Sequence, residues 1–200
     1  ESSEWKRERI AKSLREAKTD AAMLTLPESI AWLLNIRGSD VPHTPFPHAF
    51  AMLNNDGHVE LFIDRRKFTP GIEAWLGNRV TVRAQEELGS HLKAQKGKRI
   101  HIDPATASAW LFDQLKASGA EIVRAADPVL LPKACKNPTE LEGTRRAHVR
   151  DGAALSRFLA WIAKDRRDQH ERVDRVLQIP ELMQLLLGRG RESRCCETGG

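Results

Sequence analysis

The alternation of short β-branched runs with helical segments is the feature that most limits how this chain can fold. Three runs of strand type lie around Val80, Ile100 and Ile122. Helical patterns over residues 86–94 and 105–118 separate them. Three residues share one face of the second pattern: Trp110, Leu111 and Leu115. Because parallel strands need a long crossover connection, usually a helix, this alternation predicts parallel or mixed strands covered by helices. We therefore expect an α/β fold with a mixed β-sheet flanked by helices.

A hairpin is expected earlier in the chain. Residues 49–63 hold two apolar runs separated by Asn55, Asp56 and Gly57. Asp-Gly supplies the positive φ angles that a tight hairpin turn requires. The sheet should therefore contain an antiparallel pair beside its parallel strands.

The first 38 residues predict a helix, a strand and a second helix. Residues 4–18 place apolar side chains at helical spacing among charges, which indicates an amphipathic helix on the core. Those apolar residues are Trp5, Ile10, Ala11, Leu14 and Ala17. A strand should follow Asp20, and residues 28–36 predict a short helix ended by Gly38.

A proline-marked connector over residues 127–138 predicts a domain boundary. Asn137 is a suitable cap, and Glu140 a favourable first-turn acid, for a helix that runs to about Lys164. Its apolar positions are Leu141, Ala147, Leu155, Phe158, Leu159 and Ile162. We expect three regions: a domain at 1–134, a linker and the first helix of another domain at 135–165, and an atypical tail at 166–200.

The charge and composition argue against several classes of protein. The formal net charge is +5, but residues 1–134 hold 19 Lys and Arg against 17 Asp and Glu, and residues 135–200 hold 13 against 10. Neither region is a basic arm, so we expect no nucleic-acid partner. No window approaches the roughly 20 apolar residues of a membrane span, and no signal-peptide pattern opens the chain. We expect a cytoplasmic protein, cut from a longer one because it begins at Glu1.

No metal site is expected in this chain. Cys135 is isolated, and Cys195 and Cys196 are adjacent, so the cysteines lack the spacing of a zinc site or a disulfide framework. Residues 165–174 contain carboxylates and one histidine at helical spacing, but the arginines between them would repel a cation. An ion-paired helix surface is the simpler interpretation.

The loop at residues 38–47 carries the candidate functional side chains. Its prolines at positions 42, 45 and 47 fix their own φ angles and bias the preceding residues away from helix, which predicts a stiff spacer. The candidates on or beside it are Arg37, Asp40 and His43. They could line the approach of a substrate, or they could form turns and salt bridges within the loop.

Two stretches of the sequence resemble the Xaa-Pro aminopeptidase (aminopeptidase P) family of the creatinase/prolidase group. They read NIRGSDVPHTPFPHAF and LLPKACKNPTELEGTRRAHVRDGAALSRFLAWI, and the similarity extends from about Trp5 to Ile162. The resemblance implies the creatinase N-terminal fold, related to the ribonuclease H-like sandwich. A C-terminal helical extension, the start of a catalytic domain, would follow it.

The resemblance also implies where the chemistry of such a protein lies. In that family two Asp, one His and two Glu of the later catalytic domain bridge two metal ions, usually manganese. This chain stops before those motifs, so we expect no catalytic residue, metal ligand or cofactor in it. The expected role is that of a non-catalytic middle domain, which shapes and shields the active site of an enzyme that removes an N-terminal residue preceding proline.

The expected partners are short proline-containing peptides, bound by the parent enzyme, and further copies of the chain. Self-association is expected because the helix from Asn137 lacks most of the domain that would cover it. Two alternatives stay open. One is a fragment of a prolidase or creatinase-like hydrolase, and the other is a non-enzymatic peptide- or protein-binding module. The metal-ligand series in the rest of the protein would distinguish enzyme from module.

Overall fold

The computed structural model describes residues 1–168, in which six strands form one mixed sheet. The strands are β1 (Ala21–Leu24), β2 (Phe50–Asn54), β3 (Val59–Phe62), β4 (Val80–Arg83), β5 (Arg99–Ile102) and β6 (Glu121–Arg124). Their order is β4-β3-β2-β1-β5-β6. β2 runs antiparallel to β1 and β3, whereas β3 with β4, β1 with β5, and β5 with β6 are parallel pairs. The expected mixed sheet is confirmed.

Helices flank this sheet and continue beyond it. They are α1 (Ser3–Glu16), α2 (Pro27–Leu34), α3 (Ile72–Leu76), α4 (Leu88–Lys93), α5 (Ala109–Ser118), α6 (Leu130–Ala134) and α7 (Pro138–Asp168). Short 3-10 turns lie at Arg65–Lys67 and Gln85–Glu87. Internal contacts group residues 1–136 into one unit, and a second unit begins at Asn137. Among the helices of residues 1–168, none combines the length and the apolar content needed to cross a membrane.

Successive strand residues point to opposite sides of the sheet, and both faces are buried at its centre. In the central strand β1, Ala22 and Leu24 belong to a core cluster with residues of α1 and α2. Ala21 and Met23 belong to a second cluster with residues of α4 and α5. All four residues are almost inaccessible to solvent, so β1 lies between two layers of helix.

The β2–β3 hairpin forms where the sequence predicts it. Asn54 N–H donates to His58 O at 2.8 Å, and Gly57 N–H donates to Asn54 O at 2.9 Å. Gly57 has a φ of 83°, a conformation that glycine adopts without strain. This turn aligns Phe50 with Phe62 across the pair.

Two tryptophans predicted on the core lie at the surface. Trp5 and Trp110 are each 47% exposed, and Ala17 is also exposed. In place of Trp5, α1 buries Lys6 and Arg7, because Lys6 Nζ donates to Trp32 O and Arg7 Nη1 donates to Gly57 O. Trp110 instead lies over the backbone of α4, where a Cβ at Gly89 would be 3.6 Å from the Trp110 ring.

The predicted bounds of two helices are wrong. Helix α2 ends before Asn35, which adopts a left-handed φ of 54°, and Ile36 N–H donates to Ala31 O at 3.1 Å. Asparagine tolerates that conformation, so Gly38 is not needed as the cap. Helix α5 begins at Ala109 and not at residue 105, because Asp103 Oδ1 accepts the Ala105 N–H at 2.8 Å and holds a turn there.

The helix predicted after the connector is present as α7. Glu140 N–H donates to Asn137 Oδ1, and Asn137 N–H donates to Glu140 Oε2, both at 2.9 Å. This reciprocal pair is the capping arrangement that the sequence predicts. The helix continues past Lys164 to Asp168. Most of the tail predicted at 166–200 lies outside the described residues, and the division of the chain into three regions stays a prediction.

Candidate binding site at the proline loop

The proline loop folds into a tight turn and is not the extended spacer that the sequence suggests. Thr44 N–H donates to Val41 O at 3.1 Å, which closes a four-residue turn. Pro42 and His43 occupy its two central positions, and His43 has a φ of 61°. A proline followed by a residue of positive φ is the pattern of a type II turn.

A close contact between Gly38 and Pro47 holds the two ends of the loop together. A Cβ at Gly38 would lie 2.5 Å from Pro47 N and 2.7 Å from Pro47 Cα. Gly38 N–H also donates to Pro45 O at 3.4 Å. Only a residue without a side chain allows the two backbone segments to approach this closely.

Asp40 fastens the loop to the segment that follows β3. Its Oδ2 accepts the His48 N–H at 2.7 Å and pairs with Lys67 Nζ at 2.5 Å. Lys67 Nζ also donates to His48 O at 3.1 Å. The hydrogen bond from Lys67, followed by that from the His48 backbone, lowers the pKa of the Asp40 carboxyl. Asp40 is therefore an ionised carboxylate with its charge already matched.

The other two candidates remain accessible. Arg37 is exposed, and its Nη1 donates to Ile36 O at 3.0 Å. Within the described residues no carboxylate forms an ion pair with Arg37. His43 is exposed at the tip of the turn. The roles of Arg37, Asp40 and His43 in approaching a substrate stay predictions.

A cavity of about 350 Å³ opens beneath the loop. Its polar residues are Arg37, Ser39, Asp40, Lys67 and Thr69. Its other lining residues are Ile36, Gly38, Pro47, Leu61, Ile63, Phe68, Ile72 and Leu76. Two of the three predicted residues thus line one cavity, while His43 lies outside its lining. The loop forms one wall, and β3 with the segment through α3 forms the rest.

A second cavity, of about 360 Å³, lies beside the start of α1. Arg7 lines it, with Nη1 bonded to Gly57 O at 2.9 Å and Nε without a hydrogen-bond partner in the described residues. Burial lowers the pKa of the Arg7 guanidinium. Glu4 and Glu8 line the same cavity and offset the charges of Arg7 and Arg79. This arrangement ties α1 to the hairpin and presents no net charge to a ligand.

Sequence reasoning missed Lys67 and the apolar floor of the first cavity. Lys67 lies 27 residues from Asp40 and within a run of three basic residues, so nothing local marks it as a partner of the loop. The floor residues Ile72 and Leu76 belong to a helix of five residues, too short to show a periodic pattern. Their position depends on the parallel pairing of β3 with β4.

The described residues do not fit a metal centre. Residues 1–168 contain no group of three or more His, Cys, Asp or Glu side chains placed to hold a metal ion. The charged cluster predicted at residues 165–174 lies outside the described side chains. A histidine that the sequence places on β5, His101, hydrogen bonds through Nε2 to Ala126 O at 2.8 Å, which is a structural role.

Comparison with known proteins gives a consistent family. The Creatinase/Prolidase N-terminal domain model matches residues 1–140. A protein named "Probable Xaa-Pro aminopeptidase P" from Aspergillus fumigatus is 34% identical over 184 residues, covering 88% of this chain and 28% of that protein. A protein of the same name from Coccidioides posadasii is 32% identical over 164 residues, covering 78% of this chain and 27% of that protein. The chain thus spans little more than a quarter of these relatives' length.

Solved structures with the same fold include two peptidases. The X-prolyl aminopeptidase from Caenorhabditis elegans, described as a cytosolic enzyme with a di-nuclear active site, superposes with a TM-score of 0.72 at 27% identity. The match covers 82% of this chain and 28% of that one. An Xaa-Pro dipeptidase from Bacillus anthracis gives a TM-score of 0.61 at 18% identity, and the match covers 80% of this chain and 44% of that one. At this identity the similarity shows a shared fold only.

Proposed function

Because this chain belongs to the creatinase/prolidase N-terminal domain family, as its sequence resemblance predicts, we propose that it is a non-catalytic domain of a metal-dependent Xaa-Pro aminopeptidase. The parent enzyme would remove an N-terminal residue that precedes proline from short peptides. The observation that carries this proposal is the match of up to 88% of the chain to proteins named for that activity. Prolidases share the fold at lower identity and are the second candidate.

The metal chemistry of the parent belongs outside the described part of this chain. The related enzyme from Caenorhabditis elegans has a di-nuclear active site, and we extend two metal ions, manganese by family resemblance, to the parent. Residues 1–168 lack a suitable ligand cluster, so no catalytic step is assigned to them. Their contribution would be to shape and shield the active site that the rest of the protein forms.

Within that role the loop residues divide into two kinds. Arg37 and His43 are exposed and uncommitted to ion pairs in the described chain, so they are the side chains that could meet a peptide. Asp40 is bound by Lys67 and by the His48 N–H, so its part would be to hold the loop in position. We further propose a cytoplasmic location and a homo-oligomeric parent.

Activity measurements on this chain and on the full-length parent test the proposal. We expect the purified chain to leave an Xaa-Pro peptide intact in the presence of added manganese, because residues 1–168 hold no cluster of metal ligands. The full-length parent should hydrolyse the same peptide and lose activity on chelation. Metal-dependent turnover by the chain alone would contradict the non-catalytic role. A parent that binds Xaa-Pro peptides without cleaving them would support a binding module.

A further inference from the structure

The cavity beneath the proline loop has a preformed wall. The Gly38–Pro47 contact joins the two ends of the loop, and the Asp40–Lys67 pair fastens it to a segment 27 residues away. The Asp40 side chain is only 17% exposed and that of Lys67 28%, so this pair is partly shielded from water. A ligand would therefore meet a wall that needs no ordering on binding, which favours affinity.

The floor of the cavity is apolar and rigid. Leu61 is fully buried, while Ile63 and Leu76 are 2% and 6% exposed, and all three belong to one core cluster. Phe68 and Ile72 pack against that cluster at the side. A volume of about 350 Å³ lies at the lower end of the range of small-ligand pockets, about 300–1,000 Å³. The cavity suits one aliphatic group and not an extended peptide.

The charged residues at the rim of the cavity favour a ligand with a negative charge beside that aliphatic group. Asp40 and Lys67 neutralise each other, which leaves Arg37 as the unmatched charge among the described lining residues. A guanidinium offers five N–H donors, and Arg37 uses Nη1 on its neighbouring carbonyl. The remaining donors can receive a carboxylate in a two-point hydrogen bond. An aliphatic group with an adjacent carboxylate therefore matches both the floor and the rim.

We propose that this cavity binds the carboxyl-terminal residue of a short peptide, with an aliphatic side chain on the floor and the terminal carboxylate on Arg37. The assignment to a peptide rests on the proposed function, since a parent that trims short peptides meets free carboxyl termini. A free aliphatic acid offers the same chemistry from another source, and the test must separate the two.

Titration of the isotope-labelled 200-residue chain by NMR tests the proposal directly. The probes are the tripeptide Gly-Pro-Leu, the same tripeptide with a C-terminal amide, and hexanoate. We expect Gly-Pro-Leu to shift the amide signals of the lining, including Gly38, Ser39 and Ile72. The amidated peptide should bind at least about tenfold more weakly, because it loses the charge-assisted pair. Equal binding of both peptides, or no shift at the lining, would overturn the proposal.

The hexanoate titration decides the source of the carboxylate. Weaker binding of hexanoate than of Gly-Pro-Leu supports a peptide, because the tripeptide adds contacts to the rim. Hexanoate binding as tightly as Gly-Pro-Leu, or more tightly, overturns the assignment to a peptide terminus.

Three variants locate the site. Arg37→Gln should weaken Gly-Pro-Leu at least about tenfold while barely affecting its amide. Ile72→Trp should block both peptides by filling the cavity. Arg65→Gln removes a nearby exposed arginine that does not line the cavity and should leave binding unchanged. Equal losses in Arg37→Gln and Arg65→Gln would show a general charge effect and overturn the site.

Two further measurements distinguish a failed binding site from a misfolded variant and from a wrong proposed function. The unperturbed signals of the β-sheet amides report that each variant is folded, and Arg37→Lys gives a second variant that keeps the charge but loses the planar two-point geometry. Binding is measured on this chain, whereas peptide cleavage is measured on the parent. An inactive parent with intact binding would remove the proposed enzyme and keep the site. An active parent, together with a chain that does not bind Gly-Pro-Leu, would keep the proposed enzyme and remove the site.

Discussion

Asp127 is a buried carboxylate with only part of its hydrogen-bonding capacity used. The residue is 5% exposed, and Oδ1 accepts the Val129 N–H at 2.7 Å. Oδ2 accepts no hydrogen bond of regular geometry in the described chain, although the buried Ser29 hydroxyl acts on this carboxyl and favours its charged form. Burial raises the pKa of the Asp127 carboxyl, and the charge of Asp103 raises it further. The ionised form is therefore less favourable in the folded protein than in the unfolded one.

Asp127→Asn should stabilise the protein at neutral pH. The pKa of this carboxyl is higher in the folded protein than its unfolded value of about 4. Its contribution to the free energy of unfolding is therefore fully present below pH 4 and is lost as the pH rises through the folded pKa. Asn keeps the acceptor for Val129 and carries no charge, so we expect about 1–2 kcal/mol more stability at pH 7 and little change at pH 3. Denaturant titrations at both pH values measure this. Asp113→Asn on the exposed side of α5 is the control. A loss of stability at pH 7 would show that the Asp127 charge is favourable.

His43 is an exposed residue in a strained backbone conformation. The imidazole is exposed, so His43→Ala should change the free energy of unfolding by no more than about 0.5 kcal/mol, although the φ of 61° suits histidine slightly better than alanine. A β-branched side chain tolerates this conformation less well, and His43→Val should cost about 1–2 kcal/mol. Denaturant titration compares the two variants. A loss above about 2 kcal/mol for His43→Ala would mean that the imidazole has a structural role that its exposure does not indicate.

At the scale of elements, Gly38 determines whether the proline loop can close. The position a Cβ would take at Gly38 is 2.5 Å from Pro47 N, so Gly38→Ala must push two backbone segments apart. We expect a loss of more than about 2 kcal/mol, together with shifts of the cavity amides. Gly89→Ala is a matched control, because its Cβ would make only an ordinary contact, 3.6 Å, with the Trp110 ring. It lies in α4, where alanine is the better helix former. Equal stability of the two variants would show that the loop adapts freely.

Elements built from local signals could be predicted, and those built from distant contacts could not. The β2–β3 turn at Gly57 and the Asn137–Glu140 cap each involve residues within a few positions of one another, so the sequence displays them. The Asp40–Lys67 pair depends on the register of β3 against its neighbours, and no local pattern reports that. Periodicity also gives the direction of a side chain but not its depth, which is why Trp5 was expected in the core and Lys6 was not.

At the scale of the whole molecule, the apolar surface of α7 is the feature that bears on association. Six large apolar side chains of this helix are exposed: Leu141, Val149, Leu155, Phe158, Leu159 and Trp161. Phe158 and Trp161 stack with ring centroids 6.1 Å apart. Exposed apolar groups of this kind mark surfaces that bind another protein or a further domain.

We predict that the chain self-associates through one stripe of α7. Leu155, Phe158 and Leu159 lie at helical positions i, i+3 and i+4, so they share a face. Light scattering across a concentration series should show a mean mass that rises with concentration. The double variant Leu155→Glu with Leu159→Glu should hold the mass at that of a monomer, because two charges on the stripe oppose its burial.

The control for this prediction places one glutamate on the other side of the helix. Ala153 is exposed and lies roughly opposite the stripe at 100° per residue, so Ala153→Glu should leave association as it is in the unmodified chain. If Ala153→Glu dissociated the chain as effectively as the double variant, net charge and not the apolar stripe would govern association. A chain that is monomeric at every concentration would instead contradict self-association through the stripe. Its expected partner would then be the catalytic domain of the parent and not a second copy.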